Sequence, residues 1–316
     1  MSEVFVHDFS YALGDQIFDV EQSVGQGRTL TGAAALRDAG FVKHHVASAN
    51  VSAYDLAKGA VAPIAHSTRD AGAIIYSTCL PCNGNIGSEQ RFRETRDVKY
   101  LMDFPASHLQ SDFGLERASV IGLNQQACTS MLGALRLGKA LLKNEPDIGQ
   151  ILCVTADRFP EGAVYEQAYN LISDGAAACV LSTEARGYRV VACHGITNGA
   201  LARASDDETV GTYFSYTHRL ISELLSRAQL SMHEITWVVP QNTNITAWKI
   251  LSRLLKFDCE KVFFGSIADV GHIISSDNVV NLVKLEREHA VPSGTKLLLM
   301  MAGFGLNWQA ALLEKV

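Results

Sequence analysis

The fold is decided by the stretch Asn124-Gln125-Gln126-Ala127-Cys128-Thr129-Ser130-Met131-Leu132-Gly133. It follows a short apolar run at 118–123, which predicts a buried strand, and it opens a run to residue 142 whose apolar residues recur at helical spacing. Cys128 therefore lies between a strand and the first turn of a helix. Unpaired backbone N–H groups converge there, and their partial positive charge favours the nucleophilic thiolate over the thiol. A buried structural cysteine is the alternative interpretation, which the rest of the chain must decide.

The composition is that of a globular protein with a large core. The chain has 316 residues, of which 47% are hydrophobic and 19% charged, so its length allows one large domain or two ordinary ones. The net charge of −6 argues against a nucleic-acid-binding surface, and polar residues interrupt every longer apolar run. Seven scattered cysteines favour free thiols in a reducing compartment. We therefore predict a cytoplasmic protein that binds neither nucleic acid nor membrane.

Predicted strands and helices alternate along the chain. Strands are expected at 4–7, 73–78, 150–157, 188–193, 236–239, 297–301 and 308–313, and residues 171–181 are expected to form a small-residue turn that leads into a further strand. Helices are expected at 30–36, from residue 52, at 216–230 and at 279–285. This alternation predicts an α/β protein whose sheets are covered on both faces. The second half repeats the element order of the first, and we divide the chain into residues 1–165 and 166–316. Two such halves facing one another would bring Cys128 and His272 to equivalent helix starts.

Three polar clusters carry no assigned chemistry. Cys79 and Cys82 have the spacing of a redox or half-zinc motif, but no second cysteine or histidine pair has ligand spacing, so we predict no metal site. His44 and His45 are interpreted as surface residues. The basic segment 89–99 is interpreted as a solvated face, with contact to an anionic substrate or carrier as the alternative.

A set of motifs in this order resembles the thiolase-fold condensing enzymes, specifically their β-ketoacyl-ACP synthase III branch. The motifs span nearly the whole chain: Gln125-Gln126-Ala127-Cys128, Ser173-Asp174-Gly175-Ala176-Ala177-Ala178, Val239-Pro240 with its polar turn, Asp269-Val270-Gly271-His272 and Ala302-Gly303-Phe304-Gly305. The resemblance implies a thiolase-like αβαβα five-layered subunit, usually a homodimer. It also implies acyl transfer onto the cysteine from acyl-CoA or from the phosphopantetheine thioester of acyl carrier protein (ACP), without a permanently bound cofactor.

The candidate site departs from the family's usual Cys-His-Asn set. Gln241 follows Pro240 where the family has its histidine, and His272 stands where the family has its asparagine. Losing the family histidine weakens the case for decarboxylative elongation. Cys128 and His272 still suffice to activate a thiol and then deprotonate an incoming nucleophile.

Asp277, five residues after His272, would fix the histidine tautomer as the third member of a triad. This arrangement resembles a divergent secondary-metabolism subgroup that primes polyketide chains or acylates hydroxyls. The alternative role for Asp277 is the N-cap of the following helix.

The resemblance assigns the remaining positions of the site. Backbone N–H groups are expected to hold the oxyanion at Cys128, Gly303 and Gly305. Three amides are expected to orient a small-molecule acyl acceptor: Gln241, Asn242 and Asn244.

The acceptor decides the product. A carbon acid gives a β-keto compound or a chain initiator, as in fatty-acid or polyketide synthesis, whereas a hydroxyl or amine gives an ester or amide. A non-catalytic partner subunit of a condensing-enzyme heterodimer stays open as another class. A thiolase-type cleavage enzyme is disfavoured, because residues 302–308 contain no second active-site cysteine.

Overall fold

The computed structural model describes residues 3–304 and 306–316. The strands are β1 (Phe5–Leu13), β2 (Gln16–Asp19), β3 (Lys43–Val46), β4 (Ala73–Ser77), β5 (Ser119–Leu123), β6 (Gln150–Asp157), β7 (Glu166–Gln167), β8 (Asn170–Leu171), β9 (Gly175–Ser182), β10 (Tyr188–Thr197), β11 (Trp237–Val239), β12 (Lys296–Gly303) and β13 (Asn307–Lys315). The helices are α1 (Val20–Gly25), α2 (Ala33–Asp38), α3 (Ala53–Val61), α4 (Glu89–Thr95), α5 (Pro105–Asp112), α6 (Ser130–Asn144), α7 (Asp206–Ala228), α8 (Ile245–Leu255), α9 (Ile267–Val270) and α10 (Asp277–Glu288).

The described residues form one nine-stranded sheet in the order β11-β12-β13-β10-β1-β9-β6-β4-β5, beside two small two-stranded ladders. The order contains the same pattern twice. In the first half β4 runs parallel to β6, β6 antiparallel to β9, and β9 antiparallel to β1. In the second half β11 runs parallel to β12, β12 antiparallel to β13, and β13 antiparallel to β10. A short ladder between β1 and β10 joins the two halves.

Five layers follow from the two faces of each sheet half. Successive strand residues point to opposite faces, so Ile74 packs in the apolar cluster of α3 and α5, whereas Ile75 packs with α6 and α10. In the second half Leu298 packs with α7 and α8, and Leu299 packs with the central helices. The order is therefore helix, sheet, helix, sheet, helix, which confirms the predicted αβαβα fold.

The strand pairing bears on the division of the chain. Strand β9 lies within residues 166–316, yet it is hydrogen-bonded between β1 and β6 of the first half. The division into 1–165 and 166–316 stays a prediction. From the strand pairing we propose a boundary in the turn between Ser182 and Tyr188, where the repeated pattern starts again.

Two expectations about burial were wrong. The run 118–123 does form β5, but β5 is the edge strand of the sheet, and Val120 is 41% exposed. His44 is fully buried, because β3 pairs with β2 and turns alternate residues inward, where its ring bonds Ser23 Oγ and the carbonyl oxygen of Ile172. Burial lowers the pKa of His44 to about 4.

The described residues contain neither a candidate membrane-spanning helix nor a cluster of metal ligands. None of their helices is both long and apolar enough to cross a bilayer. They also contain no group of three or more His, Cys, Asp or Glu side chains placed to hold a metal ion.

Candidate active site

Cys128, the predicted nucleophile, lies beside a strained turn between β5 and α6. Ala127 has φ +47°, in the left-handed region that non-glycine residues rarely adopt, and a single 3-10 turn leads from it into α6. Ser275 Oγ, from the other half of the chain, donates to the Ala127 carbonyl oxygen at 3.2 Å. Cys128 is 5% exposed and sits at the N-terminal end of the 15-residue helix α6. The turn therefore presents the thiol where the helix dipole favours negative charge.

The histidine loop is fixed just as firmly. Gly271 has φ +62°, and a Cβ there would lie 2.8 Å from the Leu171 carbonyl oxygen, so only glycine fits. The next backbone N–H, that of His272, donates to the same carbonyl at 2.8 Å. These contacts aim the imidazole at Cys128, and the two side chains are hydrogen-bonded.

Asp277 binds the far side of the imidazole. His272 Nδ1 donates to Asp277 Oδ2 at 2.5 Å, and the carboxylate also accepts the backbone N–H groups of Ile273 at 2.6 Å and Asn242 at 2.7 Å. Both partners of the ion pair are buried, with side-chain exposures of 5% and 0%. The N-cap of α10 is Ser276, so the structure does not support the N-cap alternative for Asp277.

Electrostatics favours a thiolate–imidazolium pair. Burial by itself penalises charged His272, but the charge and hydrogen bond of Asp277 outweigh it and raise the pKa of His272 to about 10. The pKa of Cys128 falls to about 6, through a hydrogen bond from Cys79 and the contact with His272, although burial opposes the shift. Near neutral pH the resting thiol is therefore ionised beside a protonated histidine.

Only two of the three predicted acceptor-orienting amides reach the site. Gln241 lines the cavity at Cys128; its Oε1 accepts the Ala302 N–H at 2.8 Å, and its Nε2 lies 3.4 Å from His272 Nε2. Asn244 also lines the cavity, and it caps α8. Asn242 is 1% exposed, and its side chain forms hydrogen bonds inside the protein with Ser266 Oγ, the Gly271 carbonyl oxygen and Asn281. Its expected role in orienting the acceptor was wrong; it supports the loop that carries His272.

The glycine turn after β12 lies against the nucleophile. A Cβ on Gly303 would lie 2.7 Å from the Cys128 backbone nitrogen, so the close approach requires glycine. Because Cys128 lies in the first turn of its helix, its N–H has no intrahelical partner. Gly305, also expected in the oxyanion hole, lies outside the described residues.

Two cavities meet at this centre, each of about 340 Å³. The first reaches Cys128 and His272 and is walled by α7 and α8, with a largely apolar and aromatic lining that includes Tyr213, Phe214, Ile250, Phe304 and Trp308. The second is lined by residues that include Cys79, Phe159, Gln167 and Ile274. Cys128 itself lines only the first cavity, and the two cavities share Gln167 and Phe304 in their linings.

Cys79 was missed as a site residue. Its Sγ lies 3.9 Å from Cys128 Sγ, whereas Cys82 is exposed. A signal was present in the sequence, because Cys79 and Cys128 each follow one of two predicted strands. Those strands, β4 and β5, pair in parallel, and the carboxyl ends of parallel strands meet at one edge of a sheet.

Comparison with known proteins decides the family. Residues 225–315 match the description "3-Oxoacyl-[acyl-carrier-protein (ACP)] synthase III C terminal", and residues 124–199 match "3-Oxoacyl-[acyl-carrier-protein (ACP)] synthase III". The chain belongs to the β-ketoacyl-ACP synthase III family. Members of this family are acyl-transferring condensing enzymes of the thiolase fold. The β-ketoacyl-ACP synthase III of Chlamydia caviae is 25% identical over 246 residues, covering 69% of this chain and 72% of the relative.

Solved structures of the family agree on the fold. FabH, the 3-oxoacyl-ACP synthase III of Pseudomonas aeruginosa PAO1, superposes with a TM-score of 0.83 at 18% identity, over 99% of this chain and 98% of that one. ChlB3, described as an acyltransferase, superposes with a TM-score of 0.78 at 20% identity, over 99% and 98% of the two chains.

Proposed function

We propose that the protein is an acyltransferase of the β-ketoacyl-ACP synthase III type, which loads an acyl group onto Cys128 and passes it to a second substrate. The observation that carries this proposal is the buried, hydrogen-bonded series of Cys128, His272 and Asp277. A nucleophile, a base and a carboxylate that orients the base are the parts that two-step acyl transfer needs.

In the first step the Cys128 thiolate attacks the carbonyl carbon of an acyl thioester. The oxyanion forms beside the Cys128 N–H and the Gly303 turn, where preorganised donors stabilise it most. As the tetrahedral intermediate collapses, the C–S bond to the donor breaks, and the departing thiolate takes the proton from His272. The acyl group now rests on Cys128 as a thioester, and His272 is neutral.

In the second step His272 acts as the general base. Its Nε2 takes the proton of the acceptor as the acceptor attacks the thioester carbonyl, and Asp277 holds the tautomer that leaves Nε2 free to accept. Collapse of the second intermediate expels Cys128 as a thiolate, and the proton stays on His272. The resting ion pair is thereby restored.

The donor and acceptor follow from the family and the cavity. Acyl-CoA and acyl-ACP share the phosphopantetheine thioester, and we take either as the donor, with no resident cofactor. The acceptor is a small molecule, and its attack gives condensation or chain priming in fatty-acid or polyketide-type secondary metabolism.

A second candidate is transfer to a hydroxyl or amine without formation of a C–C bond. Gln241 favours it: the amide oxygen is occupied by the Ala302 N–H, so one amide N–H₂ stands where the family has its histidine. A histidine activated by Asp277 suits deprotonation of O–H or N–H better than stabilisation of an enolate. ChlB3, a similar structure described as an acyltransferase, is consistent with this candidate.

The assembly we propose is a homodimer in the cytoplasm. Among the described residues, β5 pairs on one side only and leaves an exposed edge that includes Val120, where a second copy can pair. The seven cysteines are all free thiols, which suits a reducing compartment.

Intact-protein mass spectrometry tests the proposal. Wild type and Cys128→Ala are each mixed with a panel of acyl-CoA and acyl-ACP donors, and malonyl-CoA or a panel of alcohols and amines is then added. A mass gain on wild type alone supports the proposal and names the acyl group.

The second addition separates the two candidates. Loss of the adduct with malonyl-CoA and release of CO₂ identifies condensation, whereas loss with an alcohol or amine identifies O- or N-transfer. Absence of an adduct with every donor overturns the enzyme proposal and leaves the non-catalytic partner subunit.

A further inference from the structure

The active centre contains a second thiol. Cys79 follows β4, and its Sγ lies 3.9 Å from Cys128 Sγ, within sulfur hydrogen-bond distance. The backbone N–H of Cys79 donates to Asp157 Oδ1 at 2.7 Å, which fixes the position of the residue. Asp157 is itself buried and also accepts from Thr78 Oγ1 at 2.7 Å.

We propose that Cys79 is a functional residue of the acyl-transfer site, whose S–H donates a hydrogen bond to the Cys128 thiolate and holds it ready for acylation. The proposal rests on the proposed function, because it gives Cys79 a task in the first of the two steps.

The surroundings decide which sulfur keeps the proton. The titratable groups that face Cys128 are Cys79, His272 and Asp157. His272 is hydrogen-bonded to Cys128 and, when protonated, stabilises its negative charge, and the first turn of α6 adds to this. Cys79 lies beside the carboxylate of Asp157, which disfavours a second negative charge. The first proton therefore leaves Cys128, and the pair rests as Cys79 S–H beside Cys128 S⁻.

The shifts in pKa agree with this order. The hydrogen bond between the two sulfurs, with burial and the neighbouring charges, raises the pKa of Cys79, while the pKa of Cys128 falls to about 6. Once Cys128 carries an acyl group, its sulfur bears no charge for the S–H to stabilise. Cys79 should therefore matter wherever Cys128 carries charge: in the resting thiolate that is acylated, and again when the second intermediate expels Cys128 as a thiolate.

Alkylation of Cys128 measures its thiolate without any acyl donor. The rate of reaction with iodoacetamide is followed from acid to alkaline pH, and peptide mass spectrometry separates Cys128 from the other cysteines. The variants are Cys79→Ala, Cys79→Val, which fills more of the space without a donor, and Cys79→Ser, which keeps a donor. Cys82→Ala is the matched control, because Cys82 is exposed and three residues away.

We expect the midpoint of the alkylation curve to rise by about one pH unit in Cys79→Ala and Cys79→Val, so that the rate at pH 6 falls several-fold. Cys79→Ser and Cys82→Ala should keep the wild-type midpoint. With a donor identified, acylation at pH 6 should slow several-fold in the two apolar variants.

Two results would overturn the proposal. One is a wild-type midpoint of the alkylation curve in Cys79→Ala and Cys79→Val. The other is a midpoint in Cys79→Ser displaced as far as in Cys79→Ala, which would mean that packing of the Cys79 sulfur, and not its hydrogen bond, sets the pKa of Cys128. Because the alkylation readout needs no donor, this failure is distinct from failure of the proposed function, which shows as no acyl adduct on wild type.

Discussion

Replacing Asp277 with asparagine tests the electrostatic argument most directly. Asp277→Asn keeps the size of the side chain but removes the charge that stabilises protonated His272. Three N–H donors meet the carboxylate, from His272, Ile273 and Asn242, and an amide offers a single oxygen to them. The imidazolium is then no longer held beside Cys128, and the thiolate loses its counter-charge.

The magnitude follows from the pKa of the nucleophile. With the ion pair intact, the pKa of Cys128 is about 6, against an ordinary value of 9.0. The hydrogen bond from Cys79 remains in the variant, so we expect a rise of about two pKa units and not a full return; at pH 7 the thiolate fraction then falls from about nine tenths to about one tenth, and acylation should slow roughly tenfold. The unmatched N–H should also destabilise the fold by about 1–3 kcal/mol, which a thermal melt will show.

The assay is the pH dependence of Cys128 alkylation and acylation in folded protein. The wild-type rate should level off above about pH 7, whereas the variant rate should keep rising about tenfold per pH unit up to alkaline pH. Asp269→Asn is the control, since Asp269 precedes the same histidine, has a side chain 53% exposed and pairs with Lys284. A variant that shares the wild-type midpoint and reacts at a similar rate at pH 7 would refute the assignment of Asp277.

Three further predictions concern other parts of the site and fold. Gly303→Ala places a Cβ 2.7 Å from the Cys128 nitrogen and should slow acylation about 100-fold. The control Gly149→Ala, which has open space around its Cβ, should acylate at the wild-type rate, and equal rates for the two variants in single-turnover assays would contradict the prediction. Gln241→Ala should keep the acylation rate within about threefold of wild type but slow transfer to the acceptor at least about tenfold. Separate measurements of the two rates check this, and an equal fall in both rates would place the amide in the first step instead. His44 has a folded-state pKa of about 4 and an ordinary value of 6.5, so the unfolded chain takes up its proton first as the pH falls. The stability that neutral His44 contributes is complete above about pH 6.5 and decreases towards pH 4 by up to about 3 kcal/mol. On acidification over this range, His44→Gln should therefore lose less free energy of unfolding than wild type, and an equal loss in both proteins would refute the assignment to His44.

The sequence alone predicted the fold, which the structure confirms, and the candidate nucleophile. Apolar periodicity is a local property, so the runs around Cys128 and Asp277 predicted the strand and helices that carry them. The order of the motifs indicated the family, and the exchange of the family His-Asn pair for Gln241 and His272 was visible in the sequence. The spacing of His272 and Asp277 allowed a triad or a helix cap, and the sequence could not choose between them.

Tertiary structure decided what depends on long-range approach. Asp277 faces His272 because a 3-10 turn at Ile274–Ser276 separates them, and the backbone N–H of Asn242 fixes the carboxylate from another element. Asn242 looks like its neighbour Gln241 in the sequence, yet one is internal and the other lines the cavity, because the chain turns between them. Cys79 and Cys128 are 49 positions apart in the sequence, and their sulfur atoms come within 3.9 Å only when β4 and β5 pair in parallel. Sequence patterns fix what each residue can do and which element carries it, whereas the packing of distant strand ends and loops fixes which residues act together.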